Sequence, residues 1–411
     1  MVGMTLNVDI HRPDVKWIGH EVGTASYRRL AVALMAGGLA NFSLMYFVQP
    51  LLPMLATHYG VSAGESAHAL SVTTLTILIG LAVAGPMADR LGRVNLMRWS
   101  LLASGVLGLV SAFAPTWTML LVTRGLMGVT LAGLPVAALA YLREEVRTSS
   151  HARANATYIA GTAIGGAAGR LLPGPLAALG GWQLAAIVVS AITIAAGLAL
   201  YALLPQSQRY ERRPSDLRHA LIGSVAAFRD PVVALICVTG FAAMGVMVGV
   251  YNAIGFRLQA APFNLGTGAS LIYLAYPVGI LAPQVMRRLT ARTSRGIAVA
   301  SATILLALSV PVVSIPSLAG IFIGLGVVTF AFLGTHSLLS GWAVDRAKRR
   351  GIGVAQASSA YLLTYYLGST IAGVAATQQW ESHGWTGVEW LSLGLAAAAI
   401  SSAVLAARTD H

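Results

Sequence analysis

From Trp99 to Val122 the chain carries no charged residue, and runs of this kind recur from one end to the other. A helix needs roughly 20 mainly apolar residues to cross about 30 Å of hydrocarbon, with its backbone polar groups satisfied inside the segment. Twelve such stretches can be read, at about 30–56, 67–87, 95–114, 117–142, 154–178, 183–204, 231–254, 267–286, 297–315, 317–341, 353–377 and 388–407. Short joins at Ala114-Pro115, Gly180-Gly181-Trp182 and Pro316 have turn chemistry. Composition agrees: 56% of the 411 residues are hydrophobic and only 10% charged, against about 25% charged in soluble domains. The expected fold is an all-α membrane protein of twelve transmembrane helices in two six-helix bundles.

The net charge of +13 is explained by position. With the N-terminus placed in the cytoplasm, the alternate loops collect 24 of the 27 Lys and Arg. Basic residues accumulate in cytoplasmic loops, so both termini are expected inside. No base-stacking aromatic series accompanies the charges, and nucleic acid is not an expected partner. One cysteine, Cys237, excludes a disulfide framework, and no Cys/His cluster suggests a metal or other cofactor. Residues 1–27 lack the basic end and short apolar core of a cleaved signal, so the first span is expected to direct insertion.

The longest polar connection runs from Pro205 to Asp230 and includes the run Arg209-Tyr-Glu-Arg-Arg213. It divides the chain into a segment 1–29, a bundle 30–204, a central loop 205–230, a bundle 231–407 and a tail 408–411. Tyr158-x-x-Gly161-x-x-Ile164-x-Gly166 returns as Tyr365-x-x-Gly368-x-x-Ile371-x-Gly373, at an offset of 207. Arg90-x-x-Arg93 returns as Arg292-x-x-Arg295, with Ala291 where the first copy has Asp89. A parallel repeat of this kind places a substrate near the midplane between halves. The 44 glycines, densest in the fifth and eleventh spans, suit either close static packing or a seam along which the halves rock.

Ionisable groups within a span cost at least about 2.5–3.5 kcal/mol on insertion scales and point to function. The interior candidates are Arg124 in the fourth span, Arg170 in the fifth and His336 in the tenth; no span interior holds Asp or Glu. Arg124 is expected to contact substrate or bias a coupling group. Arg170 either does the same or snorkels outward. His336 has the one such side chain whose unperturbed pKa lies near neutral pH, which fits either a proton role or packing. Asn41, Tyr46 and Gln49 in the first span, Tyr273 and Tyr276 in the eighth, and Gln356, Tyr361, Tyr365 and Tyr366 in the eleventh offer hydrogen-bond handles on apolar bodies. These suit either a cavity wall or interhelical contacts.

The charged knot Gly85-x-x-x-Asp89-Arg90-x-Gly92-Arg93 lies between two membrane-length runs. Asp89 can pair with Arg90 or Arg93, and Gly92 permits a tight turn. This knot resembles the signature loop of the major facilitator superfamily of transporters, with Met87 where leucine is usual and Val94 where a basic residue is common. Leu120-x-x-x-Arg124-x-x-Met127-Gly128 resembles the family's fourth-helix motif linked to proton coupling. Gly165-Gly166-x-x-Gly169-Arg170 resembles its fifth-helix antiporter motif, with Gly166 in place of proline and Arg170 in place of the last glycine. Gln356-Ala-Ser-Ser-x-Tyr361 with Tyr365-Tyr366-Leu-Gly-Ser resembles the eleventh helix of YnfM-type bacterial inner-membrane efflux permeases.

The resemblance implies alternating access and proton-driven export from a bacterial inner membrane. Gly85, Asp89, Arg90, Gly92 and Arg93 would then form a conformational gate. The expected partners are a small amphipathic organic substrate, protons and the lipid bilayer, and the expected state is a monomer. Many family antiporters carry a first-helix carboxylate; here Asn41 and Gln49 stand in that span, so coupling falls to Asp89, His336 or the substrate itself. The alternative is a facilitator or importer of a small organic anion drawn to Arg124 and Arg170. An enzyme is disfavoured by the absence of paired acids in any span, and a sensor by the short central loop.

Overall fold

A computed structural model describes residues 19–208 and 223–410. Most of the 1–29 segment, the Arg209–Arg213 run of the central loop and His411 of the tail lie outside the described residues.

Among the described residues twelve helical spans follow one another: α1 Ala25–Tyr59, α2 Ala63–Leu91, α3 Arg93–Ser111, α4 Trp117–Glu145, α5 from His151 to residue 179, α6 182–203, α7 Pro231–Gln259, α8 Gly266–Thr290, α9 Arg295–Ser314, α10 Leu318–Arg350, α11 354–383 and α12 385–409. The stretch Val354–Thr409 has 56 residues, about 84 Å if it were one straight helix, yet a bilayer core is about 30 Å. Gly384, with φ 61° and ψ −154°, breaks it into two antiparallel spans. Gly180 and Gly181 do the same between α5 and α6. Among the described residues the only strand-like feature is one bridge between His20 and Val146.

Local chemistry fixes the starts. Thr24, Thr116, Ser294 and Ser317 each accept a backbone N–H of the following first turn, and Ser62 with Glu65 forms a capping box. Several helices outrun the apolar stretches. The tenth was expected to end near 341 and continues to Arg350, because a helix does not stop where the hydrocarbon does.

Two spans are not simple helices. In α1 the α-turns stop at Tyr46, a 3₁₀ turn covers Gln49–Leu51, and α-winding resumes at Leu52; Pro50 and Pro53 supply no N–H to carry the ladder through. In α8 the segment Gly266–Leu281 is wound as a 3₁₀ helix before Ala282–Thr290 continues as α. Three residues per turn bring i and i+3 into line, so Ser270, Tyr273, Tyr276 and Gly279 share one buried face.

The repeat seen in sequence recurs in the packing. Side chains at Gly161, Gly165 and Gly169 of α5 would strike the α1 backbone at Met35, Leu39 and Ser43. Gly368 of α11 packs on the α7 backbone at Phe241, and Gly245 and Gly249 of α7 face Ala372 and Ala376. Gly161, Gly165, Gly169 and Gly368 sit inside their own bundle and bring two backbones together, whereas Gly166, also of α5, meets Tyr276 of the other half. Arg93 pairs with Glu144 at 3.1 Å, and its second-half counterpart Arg295 pairs with Asp345 at 2.7 Å. One residue further on, the copies differ in sign. Glu145 accepts from the Ser207 hydroxyl and Gln208 N–H beyond α6, whereas Arg346 binds Asp230 before α7 and Asp410 after α12, at 2.9 and 3.0 Å.

The end of the bundle carrying these ion pairs is called here the basic end, and the opposite one the far end.

Candidate functional site

Hydrogen bonds between the halves, among the described residues, run from the middle of the bundle to the far end. Thr74 of α2 meets Thr370 of α11 at 2.9 Å, the Gln49 amide donates to Asn252 Oδ1 at 2.7 Å, and Gly64 N–H donates to Glu381 at 3.2 Å. Gly174 of α5 packs directly on Ser270 of α8. The space left between Pro50, Met54, Gly174 and Ser270 is about 20 Å³, room for a single water. The halves are therefore zipped at the far end. Toward the basic end Gly85 has nothing within 4 Å.

Under this closure lies Arg170, 2% exposed. Its Nε donates to Gln49 Oε1 at 2.7 Å and one terminal nitrogen to the Gly166 carbonyl at 2.8 Å. Gln49 reaches Asn252, which donates to the Gly373 carbonyl at 3.2 Å, so one polar chain links α5, α1, α7 and α11. The guanidinium lies 3.9 Å from the Tyr46 ring centre, 4.7 Å from Tyr276 and 5.4 Å from Tyr251. Such cation–π contacts are worth about 0.5–2 kcal/mol each. Tyr273 donates to the Tyr251 carbonyl and Tyr251 meets the Thr329 hydroxyl at 2.5 Å. The 3₁₀ winding of α8 is what turns Tyr273 and Tyr276 to this one cluster.

A second cluster belongs to α10 and α11. His336 Nδ1 is 2.8 Å from the Tyr361 hydroxyl, its ring stacks on Phe332 and Tyr361, and Tyr365 lies 4.7 Å away. Tyr365 and Tyr366 are half-buried, the latter edge-on to the former at 5.2 Å. Tyr365 lies close to Tyr46, and Tyr366 to Tyr46 and Tyr158, so the aromatic wall of one half faces the other half. On that opposite side the Asn41 Oδ1 and the Tyr158 hydroxyl are buried with no hydrogen-bond partner. Buried polar groups left so cost about 1–3 kcal/mol each and call for an explanation.

Arg124 stands apart. It is wholly buried, and donates to the Ala69 carbonyl at 2.9 Å and to Leu44 and Met45 at 3.2 and 3.0 Å. Those last carbonyls end the first part of α1, where the helix dipole favours a cation. Arg124 thus clamps the α1 break, with α2, in this conformation. In the charged knot Arg93 donates to Asp89 at 2.6 Å and to Glu144, and Gly92 takes φ 86° between α2 and α3. Arg90 ends the last turn of α2 and Gly85 lies within it.

The structure thus gathers Tyr46, Gln49, Arg170, Tyr273 and Tyr276 into one cluster and His336, Tyr361 and Tyr365 into another, with Asn41 buried in α1. Gln356 lies away, against Gly223 and Gly353 at the basic end. Sequence reasoning missed Tyr251, Asn252 and Phe332. The first two were findable: an adjacent polar pair inside the apolar seventh span is the signal that singled out Asn41 and Gln49.

Comparison with known proteins agrees with this architecture. The sequence profile of the Major Facilitator Superfamily matches residues 34–373. The inner membrane transport protein YnfM of Escherichia coli (strain K12) is 34% identical over 89% of this chain and 87% of its own. The uncharacterized MFS-type transporter YybF of Bacillus subtilis (strain 168) is 33% identical over 89% and 90%. A bacterial homologue of the human lysosomal transporter Spinster, solved inward-facing and occupied, superposes with a TM-score of 0.73 at 15% identity, covering 94% of this chain and 98% of that one. With its twelve helices, its repeat and these relatives, the chain belongs to the Major Facilitator Superfamily and is a multi-pass inner-membrane transporter, not an enzyme.

Proposed function

We propose that this transporter exports small amphipathic organic compounds from the cytoplasm by alternating access, in exchange for protons. The observation that carries the reading is the aromatic wall of Phe332, His336, Tyr361 and Tyr365, beside which Tyr365 and Tyr366 come close to Tyr46 and Tyr158 of the first half, the Tyr158 hydroxyl having no hydrogen-bond partner. Ring faces bind an apolar body, and sparse hydroxyl and amide groups orient one polar end. The basic end is assigned to the cytoplasm because Lys and Arg concentrate there. With the far end zipped, the wall is then reached from the cytoplasmic side. Rocking would move the contact to the basic end, where Gly85, Asp89, Arg90, Gly92 and Arg93 would meet the second half.

His336 is the titratable residue of the wall, bonded to Tyr361, and no carboxylate of the described residues shares the cluster. A proton arriving from the outside on His336 competes with cargo for the wall, so inward proton flow drives cargo outward down the combined gradients. The test uses purified protein in liposomes with an internal pH dye and an imposed proton gradient, challenged with dyes, biocides, sugars and organic acids. A transported compound is expected to move protons the opposite way. His336→Gln is expected to keep cargo exchange at equal pH and to lose gradient-driven accumulation. Equal accumulation by wild type and His336→Gln removes His336 from coupling; cargo equilibration without proton movement replaces the antiporter with a facilitator.

A further inference from the structure

Five arginines are buried among the described residues, and four have a clear counter-charge. Arg98 donates to the Leu200, Tyr201 and Leu204 carbonyls that finish α6, and Arg257 to Val313 and Ser314 that finish α9. Arg124 holds the carbonyls at the α1 break. These are helix C-termini, each bearing about half a negative charge. Arg346 has two aspartates. Arg170 has neither. Its oxygen partners are all neutral, the Gln49 amide, the Gly166 carbonyl within its own helix and the Tyr46 hydroxyl, and no carboxylate of the described residues pairs with it. Its remaining surroundings are the ring faces of three tyrosines. Keeping a cation there is costly unless something negative visits the site.

We infer that Arg170 is the charge-recognising end of the cargo site, and that the cargo is an amphipathic monoanion. This rests on the reading that the aromatic wall lines the cargo path. A carboxylate would enter beneath Tyr46 and Tyr276, whose hydroxyls can donate to it, with Arg170 behind them; its apolar body would lie against Phe332, His336 and Tyr365. The same event acts on the far-end closure. Arg170 now holds Gln49, and Gln49 holds Asn252 of the other half. An arginine–carboxylate pair adds ion–ion attraction and a bidentate fork to the hydrogen bond that a neutral amide offers, so an arriving anion draws Arg170 from Gln49 and loosens the bridge between the halves. Cargo would thereby open the exit it needs. A cation would meet only repulsion at this point.

Three probes of equal body and different charge test this: 2-naphthoate, 2-naphthamide and 2-naphthylmethylammonium, bound to the full chain in nanodiscs and read by equilibrium dialysis. Naphthoate is expected to bind about tenfold tighter than the amide, a difference of about 1.4 kcal/mol. Arg170→Gln should cost naphthoate about tenfold more than it costs the amide and so erase the preference, while Arg170→Lys, which keeps the charge and loses the planar fork, should retain part of it. Gln49→Glu gives Arg170 an internal carboxylate and should also erase the preference. In spin-label distances between Leu179→Cys and Ser382→Cys in a Cys237→Ser background, it should hold the far end shut when naphthoate is added. Equal binding of naphthoate and amide by wild type, or an Arg170→Gln variant that weakens both alike, overturns the inference and leaves Arg170 a brace, with export of uncharged amphiphiles still standing. Binding of none of the three probes removes both readings.

Discussion

At the scale of single residues, the basic end depends on a few positions with no latitude. Gly92 combines φ 86° with ψ 150°, a conformation that costs a side-chain-bearing residue about 1–3 kcal/mol. Gly92→Ala is expected to lose that much stability in thermal unfolding, whereas Gly85→Ala, facing open space, should be nearly silent; the reverse order would refute the assignment of the turn. Asp230 and Asp410 make a pH prediction. Burial alone would raise both carboxyls, but Arg346 with the Val233 and Val232 N–H groups holds Asp230 below its ordinary value, and Arg349 with Trp342 and Arg346 does so for Asp410. Groups lowered in the folded state contribute stability that is fully present above the ordinary carboxylate value and is lost as pH falls from there through the lowered folded-state value. The melting temperature should therefore be flat from neutral pH downward and drop below about pH 4. Arg346→Ala should cost about 3 kcal/mol and flatten that acid step.

At the scale of elements, number and order were legible because hydrocarbon thickness sets a length that apolar runs display openly. The turn at Gly180-Gly181 and the repeat of Tyr158-Gly161 in Tyr365-Gly368 were equally plain. The break in α1 and the 3₁₀ winding of α8 were not, since an apolar run reads the same whatever its pitch. That is why Tyr273 and Tyr276 were selected for their chemistry while their common face stayed hidden. Arg170 against Gln49 could not be read either: the two lie 121 positions apart, and the contact exists only once α5 is seated on α1. That seating rests on Gly161, Gly165 and Gly169. Gly165→Leu would drive a side chain into the Leu39 backbone, and the expected result is loss of folded, monodisperse protein in detergent. Full recovery of such protein would show that α1 and α5 can part without consequence.

At the scale of the whole molecule, the far end closes because α5 and α8 touch at Gly174 and Ser270. Gly174→Leu should keep that end apart and lengthen the distance between spin labels at Leu179 and Ser382; an unchanged distance would mean the closure is made elsewhere. The two halves, so alike in their packing, use opposite signs at the same junction: Glu145 in the first, Arg346 in the second. Each junction gathers the chain entering its bundle and the chain leaving it. During synthesis the first bundle is complete while the second is still emerging, and two near-identical docking points would invite mispairing. Opposite polarity acts as an address: a carboxylate such as Glu145 would repel Asp230 and Asp410, whereas Arg346, with Arg349 beside it at Asp410, accepts them. Duplicated proteins face this sorting problem in general, and here a single reversed charge sends each chain end to its own half.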